Sequence, residues 1–380
     1  MAFPDGIKVD CIDSERSFAH LREEWNRLAR TTRGPGVFLR HEWFDAAWRW
    51  RREDSELSIL RIHDGTRTIG IVPLMRRRSG RRCLVEFLSV PDTQFCDLVC
   101  ADSDRDTCTA AAGAYLARHA PRWDTITLRY LAAASPTAAA LPRTLAPLRI
   151  RTHAAGGGVN PYVDLAGAWH DFYGTCSRRL KKANNLAANR LRRAGGIRLE
   201  WFRPGSVDRA ALDPLLADIT AISARSWKGK TPFSLDHSGP GAFLRRLSEA
   251  ALEHGWLSVW VLYLSDHPVA MEYQLVNGGS VYALRADFDG RYAELSPGAY
   301  LNWKILEGLF GRGLERYYMG PGDNAYKLRW TDRGERMIVA HGYAPSLRGR
   351  VLAGWNLDIK PRLRRLRTWV PRGARRPSKP

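Results

Sequence analysis

The chain has 380 residues, 44% of them hydrophobic and 26% charged, with a formal net charge of +20 at pH 7. That length exceeds one ordinary core and suits two domains, and 14 tryptophans exclude wholesale disorder. There is no uninterrupted apolar run of the ~18 residues a membrane span needs, and Asp5, Asp10 and Asp13 leave no room for an apolar signal segment, so a cytoplasmic protein is expected.

The charge is unevenly spread. Residues 346–380 hold eleven Lys and Arg against one acid, Asp358. A second dense patch, Ser177 to Ala194, has seven basic residues and no acid. Such patches favour partners with phosphate: a coenzyme, a nucleic acid such as tRNA, or an anionic membrane surface. The plain alternative is the Arg-rich composition of a GC-rich genome. The six cysteines (Cys11, Cys83, Cys96, Cys100, Cys108, Cys176) fit no metal spacing, so buried thiols and no metal are expected.

In chain order, helices are predicted at 14–30, where Ser14 can cap and Phe18, Leu21, Trp25 and Leu28 share a face, and at 38–50. A hairpin follows, 57–62 with 68–75, turning at Asp64-Gly65. Strands at 85–88 and 98–99, a helix at 107–119 and a strand at 125–130 complete a small α/β unit. Residues 132–147 and Gly156-Gly157-Gly158 read as loop and linker. The second half repeats the plan, with helices at 169–194, 208–226 and 241–254 and a hairpin, 257–264 with 268–276. A strand at 281–288 leads to a helix after Ser296, then a strand at 314–319. The repetition suggests a structural duplication. The division expected is 1–155, 156–345 and a basic tail, 346–380, partly disordered.

Four constellations carry chemistry. In the first, Ser296 can cap a helix, Pro297 suits its first position, and Gly298 admits an anion to the exposed amides of Ala299 and Tyr300. With Arg291 nearby this start can hold a pyrophosphate, or it is simply a well-capped helix. Second, Tyr326 and Lys327 leave the irregular Gly320-Pro321-Gly322-Asp323-Asn324 and can polarise a carbonyl or protonate a leaving group. The bland reading is a solvated lysine. Third, Glu272 shares a strand face with Gln274, opposite Met271 and Tyr273, and is a general-base candidate or a surface carboxylate; Asp287 has the same ambiguity. Fourth, Arg178, Arg179, Lys181 and Lys182 sit on a helix whose Leu180, Leu186 and Leu191 can form a buried stripe. That face meets phosphate or only water. Trp227-Lys228 adds a ring and a cation for a substrate, or a packing corner.

Pro268-Val269-Ala270, the Tyr-bearing strand, Ser296-Pro297-Gly298, Gly313–Met319 and Tyr326-Lys327-x-x-Trp330 together resemble the Gcn5-related (GNAT) acetyltransferase family, in its CelD-like and Fem-type tandem-domain branches. The basic helix 177–194 and Ser226-Trp227-Lys228-Gly229 belong to the same pattern, and Trp25, Phe38, Trp43, Trp48 and Ile71-Val72-Pro73-Leu74 resemble its first half. The resemblance implies an α/β fold of two tandem GNAT-like domains, each a mixed, mostly antiparallel twisted sheet flanked by helices. It implies acyl transfer from acetyl-CoA or another acyl-CoA to an amine, in cell-envelope, polysaccharide or secondary-metabolite synthesis. In Fem-type enzymes the donor is aminoacyl-tRNA and an aromatic-Lys pair lies near the acyl carbonyl, matching Tyr326 and Lys327. The coenzyme loop departs from the family pattern, because Arg291-Tyr292-Ala293-Glu294 lacks its first glycine. Both donors therefore stay open, beside a non-catalytic scaffold for a membrane or polysaccharide-synthesis complex.

Overall fold

A computed structural model describes residues 6–65 and 67–360. The end of the tail, 361–380, where disorder was expected, lies outside the described residues. The chain begins with a strand not predicted, β1 (Ile7–Ile12), followed by α1 (Glu15–His20) and α2 (Arg22–Thr31). Ser14 caps α1 by accepting from the Ser17 amide at 3.2 Å. The predicted single helix breaks at Leu21, and Phe18 and Trp25 both stay buried. Next come α3 (His41–Arg51), β2 (Ser55–Leu57), β3 (Ile59–Asp64), β4 (Arg67–Val72), β5 (Leu74–Ser79), β6 (Arg82–Phe87) and β7 (Val99–Cys100). The strand expected through 68–75 is interrupted at Pro73, which lacks the ladder N–H, and the chain passes there from one sheet to another.

After α4 (Arg105–Arg118) and β8 (Thr125–Ala132), the segment read as loop forms α5 (Pro136–Leu145). Its start is well made, with Ser135 accepting from Thr137 N at 3.1 Å and Pro136 in the first turn. The Gly156-Gly157-Gly158 linker is likewise corrected. It lies inside the longest strand, β9 (Arg151–Asp164), where the register slips opposite Arg336/Ile338. A Cβ on Gly157 would lie 2.9 Å from the Ile338 carbonyl carbon, so glycine here permits a bulge and a close strand contact.

The second half holds α6 (Trp169–Thr175), α7 (Arg178–Ala194), β10 (Ile197–Phe202), α8 (Arg209–Arg225), α9 (Ser238–Glu253), β11 (Leu257–Leu264), β12 (His267–Asn277), β13 (Ser280–Phe288), α10 (Pro297–Leu309), β14 (Arg316–Tyr318), β15 (Gly334–Tyr343) and α11 (Leu347–Ala353). Ser177 splits the predicted helix 169–194 by capping α7, accepting from Leu180 N at 3.2 Å.

Four strands form a sheet in the order β1-β3-β4-β7, and eleven form one in the order β10-β11-β12-β13-β14-β9-β15-β8-β6-β5-β2. Pairing is antiparallel except for β6 with β8 and β13 with β14. In each exception a helix, α4 or α10, connects the parallel strands, so one plan occurs twice. The boundary after residue 155 falls inside β9, and β15 pairs with both β9 and β8. Strand alternation sorts the core. Val259, Val261, Met271 and Tyr273 face the cluster shared with the first half, whereas Trp260, Leu262 and Ala270 face a second cluster beneath α7 and α10.

Candidate active site

β13 and β14 pair only over Ser280–Tyr282 and Arg316–Tyr318. Beyond that point β13 stays on β12, while the chain after β14 turns away through Gly320, φ +82°. A cavity of about 260 Å³ opens at the divergence, lined by Glu272, Ala283, Tyr317, Gly320, Tyr326 and Lys327 among others. A Cβ on Gly320 would make ordinary contact with the Ala283 carbonyl oxygen at 3.4 Å, so it is the left-handed backbone, not space, that calls for glycine here.

Glu272 is 3% exposed, so it is not the surface carboxylate of the bland reading. Its Oε1 accepts from Tyr317 Oη at 2.6 Å and Gln274 Nε2 at 2.7 Å. Gln274 in turn accepts from Ser258 Oγ at 2.9 Å, and Tyr317 Oη accepts from Asn302 Nδ2 at 3.2 Å. Burial pushes the Glu272 carboxyl up to about 7, against the downward pull of these donors and of Lys327.

Lys327 is turned inward, not solvated. The chain from Asn324 makes a short helical turn, with Lys327 N donating to Asn324 O at 2.9 Å and the buried Trp330 anchoring its end. Lys327 is 4% exposed, and its Nζ donates to Gly320 O at 2.7 Å and Pro321 O at 3.1 Å. Burial lowers its ammonium to about 8, opposed by the charges of Glu272 and Asp323. The Tyr326 ring also lines the cavity, and burial pushes its hydroxyl upward. The result is a base candidate and an acid candidate in one pocket, both tuned toward neutrality.

Trp227 and Lys228 line the same cavity from a turn capped by Ser226, which accepts from Lys228 N at 3.0 Å. Asp287 is fully buried with Lys228 Nζ 2.6 Å from its Oδ1, so its carboxylate neutralises Lys228.

The α10 start is a separate feature. Ser296 adopts a left-handed conformation, φ +57°, and its hydroxyl makes no cap, contrary to expectation. Pro297 does occupy the first helical turn. A Cβ on Gly298 would lie 3.2 Å from the Phe288 ring, so this glycine serves strand–helix contact. Ala299 is exposed and Tyr300 is buried in the second cluster. Arg291 is tied to Asp289 at 2.7 Å, and Asp289 also holds Arg225 at 2.6 Å. None of Arg291 and 296–300 lines the cavity. α7 packs on α10 and reaches the same loop, with Arg190 donating to Glu294 O at 3.0 Å. Leu180 and Leu191 are buried as expected, but Leu186 is exposed because it falls off their stripe. Arg178, Arg179 and Lys182 point to solvent.

Sequence reasoning missed the first half's contribution. Pro91, Asp92 and Gln94 form one wall of the cavity. Gln94, 1% exposed, donates to Ala283 O at 2.7 Å and accepts from Asn160 Nδ2 at 3.2 Å. Asp92 holds Arg285 Nε at 2.7 Å in a buried ion pair. No local spacing marks these residues, since Ala283 and Arg285 lie 189 and 193 residues from them and Asn160 lies 66 away.

Among the described residues no group of three or more His, Cys, Asp or Glu side chains is placed to hold a metal, and no helix is long and apolar enough to cross a membrane. No curated protein sequence matches the chain. Among solved structures, FemX aligns with a TM-score of 0.58 at 11% identity, covering 88% of this chain and 98% of its own. The C-terminal domain of a putative lysylphosphatidylglycerol synthetase from Agrobacterium fabrum aligns at 0.53 and 14% identity, covering 88% and 95%. L-PGS from Bacillus licheniformis aligns at 0.53 and 12% identity, covering 90% and 95%. At such identities the likeness is one of fold. The family described as acetyltransferase (GNAT) domain matches residues 178–328. These residues supply every wall of the cavity except Pro91, Asp92 and Gln94, so the pocket lies almost wholly within the segment that is similar to the acetyltransferase (GNAT) domain.

Proposed function

We propose that the protein transfers an acyl group from acyl-CoA to an amine, in the cavity between β13 and β14. The observation that carries this is the joint burial of Glu272 and Lys327, held near 7 and 8 by the same pocket. The amine nitrogen attacks the acyl carbonyl and Glu272 takes its proton. Lys327, with Tyr326 beside it, stabilises the oxyanion and then protonates the departing thiolate. The cavity walls hold donor and acceptor within attack distance. Trp227, mostly exposed at the pocket, is suited to meet the acceptor.

A second donor, aminoacyl-tRNA, is favoured by the exposed Arg178, Arg179 and Lys182 on α7. One structural relative is named as a putative lysylphosphatidylglycerol synthetase, which suits an aminoacyl donor. Thermal unfolding of the purified chain with acetyl-CoA, and separately with charged tRNA, tests the choice. A rise with acetyl-CoA alone supports the first reading, and a rise with charged tRNA alone supports the second. A shift with neither sinks both and leaves a scaffold role.

A further inference from the structure

The last described segment carries a surface that the cavity does not use. α11 continues into a π-helical turn over Gly354–Ile359. One face is fixed to the protein. Ala353 is fully buried, and a Cβ on Gly349 would sit 2.2 Å from Ala344 O. Arg348 donates to Arg81 O at 2.8 Å, and Asp358 holds Arg151 at 3.1 Å.

The other face is apolar and bare. Leu347, Val351, Trp355 and Ile359 are 72%, 64%, 51% and 46% exposed. Nine large hydrophobics are exposed among the described residues, and four of them lie on this one stretch. They recur every fourth residue. Four residues turn an α-helix by about 400°, so each would drift about 40° past the last. The wider π turn moves Ile359 back relative to Trp355, which keeps the stripe on one side.

Cations surround the stripe. Arg350 and Lys360 are exposed on the helix itself. The β5–β6 hairpin turns at Gly80, and its Arg78, Arg81 and Arg82 are exposed. The bond from Arg348 to Arg81 O places this basic tip beside the helix. The sequence beyond, 361–380, adds eight Lys and Arg and no acid.

We propose that this face binds the surface of an anionic phospholipid bilayer. α11 and its π turn would lie in the plane of the interface with the stripe among the acyl chains and Trp355 at headgroup level, while the hairpin arginines meet lipid phosphates. RNA would use the cations but give no role to Leu347, Val351 and Ile359. A second copy would set arginine cluster against arginine cluster, which like-charge repulsion disfavours. The inference is independent of the transfer reaction.

The test is co-sedimentation of the full chain with vesicles of phosphatidylcholine alone and of phosphatidylcholine mixed with phosphatidylglycerol, beside single-stranded RNA binding by anisotropy. Wild type is expected to bind only the phosphatidylglycerol vesicles strongly. Leu347→Glu/Val351→Glu is expected to weaken that binding at least about tenfold with RNA binding unchanged. Arg78→Ser/Arg81→Ser is expected to weaken it about fivefold per arginine. If the glutamate variant unfolds, Leu347→Ser/Val351→Ser takes its place. The proposal is overturned by a wild type that ignores phosphatidylglycerol, by a stripe variant that binds as wild type, by equal loss of RNA binding, or by a wild-type dimer that the stripe variant dissolves.

Discussion

Gln94 donates to the carbonyl oxygen of Ala283 at 2.7 Å, tying a loop of the first half to the strand edge that walls the cavity of the second. β14 has already turned away there, so a side chain supplies the donor that a neighbouring strand would otherwise give. Gln94→Ala leaves a buried carbonyl unpaired and is expected to cost about 1–3 kcal/mol. Asp92→Asn leaves the Arg285 guanidinium buried without its carboxylate, at an expected cost of about 3 kcal/mol or more. Denaturant unfolding checks both. With acetyl-CoA as donor, Gln94→Ala is also expected to change KM or kcat more than a change to Arg67, remote from the cavity, does.

Lys327 is the residue on which the proposed chemistry depends most. Lys327→Met keeps much of its volume and removes its charge, and kcat is expected to fall by about 10²–10³-fold. Steady-state kinetics with acetyl-CoA and an amine acceptor would measure it. A loss below about threefold would remove Lys327 from the chemistry.

The pH profile follows from two opposite displacements. Glu272 must be ionised to accept a proton, so the rate is expected to rise as pH passes about 7. Lys327 must be protonated to donate, so the rate is expected to fall above about 8. The bell is narrow and belongs to the pair. Glu272→Gln is expected to abolish the acidic limb, and Lys327→Met the basic one.

Stability carries the same signature with its own sign. The folded-state value of Glu272 is raised from 4.5 to about 7, so folding retains a proton that the unfolded chain releases. Its burial cost is absent below pH 4.5, grows as pH climbs to about 7 and is complete above it, reaching about 3 kcal/mol. Glu272→Gln is therefore expected to be more stabilising at pH 8 than at pH 4, as read by unfolding midpoints. An equal effect at both values would contradict the burial argument.

Gly157→Val discriminates strand from linker. In a linker it would be harmless, but against the Ile338 backbone it has nowhere to go, and a loss of about 1–3 kcal/mol is expected. Urea denaturation settles it.

The second half's hairpin, its long β13 and the helix after Ser296 were legible because alternation, a turn residue and a proline-marked start act within a few residues of one another. Glu272 was assigned the right face by the same alternation. The inward turn of Lys327 was not legible, since it depends on Gly320 and Pro321 carbonyls offered by a loop. Ser296 misled, because a serine before Pro-Gly reads as a cap, whereas its left-handed backbone aims the hydroxyl elsewhere. The triple glycine misled for the opposite reason: the same flexibility that makes linkers also makes a bulge. The wall formed by Asp92 and Gln94 was beyond local reading, because tertiary partners alone give those polar residues a purpose.

The position of β15 bears on how the protein is made. β9 and β8 are not neighbours in the sheet, and the strand between them is the last in chain order among the described residues. During synthesis the facing edges of β8 and β9 must therefore wait, unpaired, for residues 334–343 to leave the ribosome. The first half cannot mature ahead of the second. Arrested chains ending before residue 334 are expected to be cut by protease within β8 and β9, and chains released past residue 343 to resist. The two halves thus reach the native state in a single late event, and a message truncated ahead of residue 334 should yield no intact half at all.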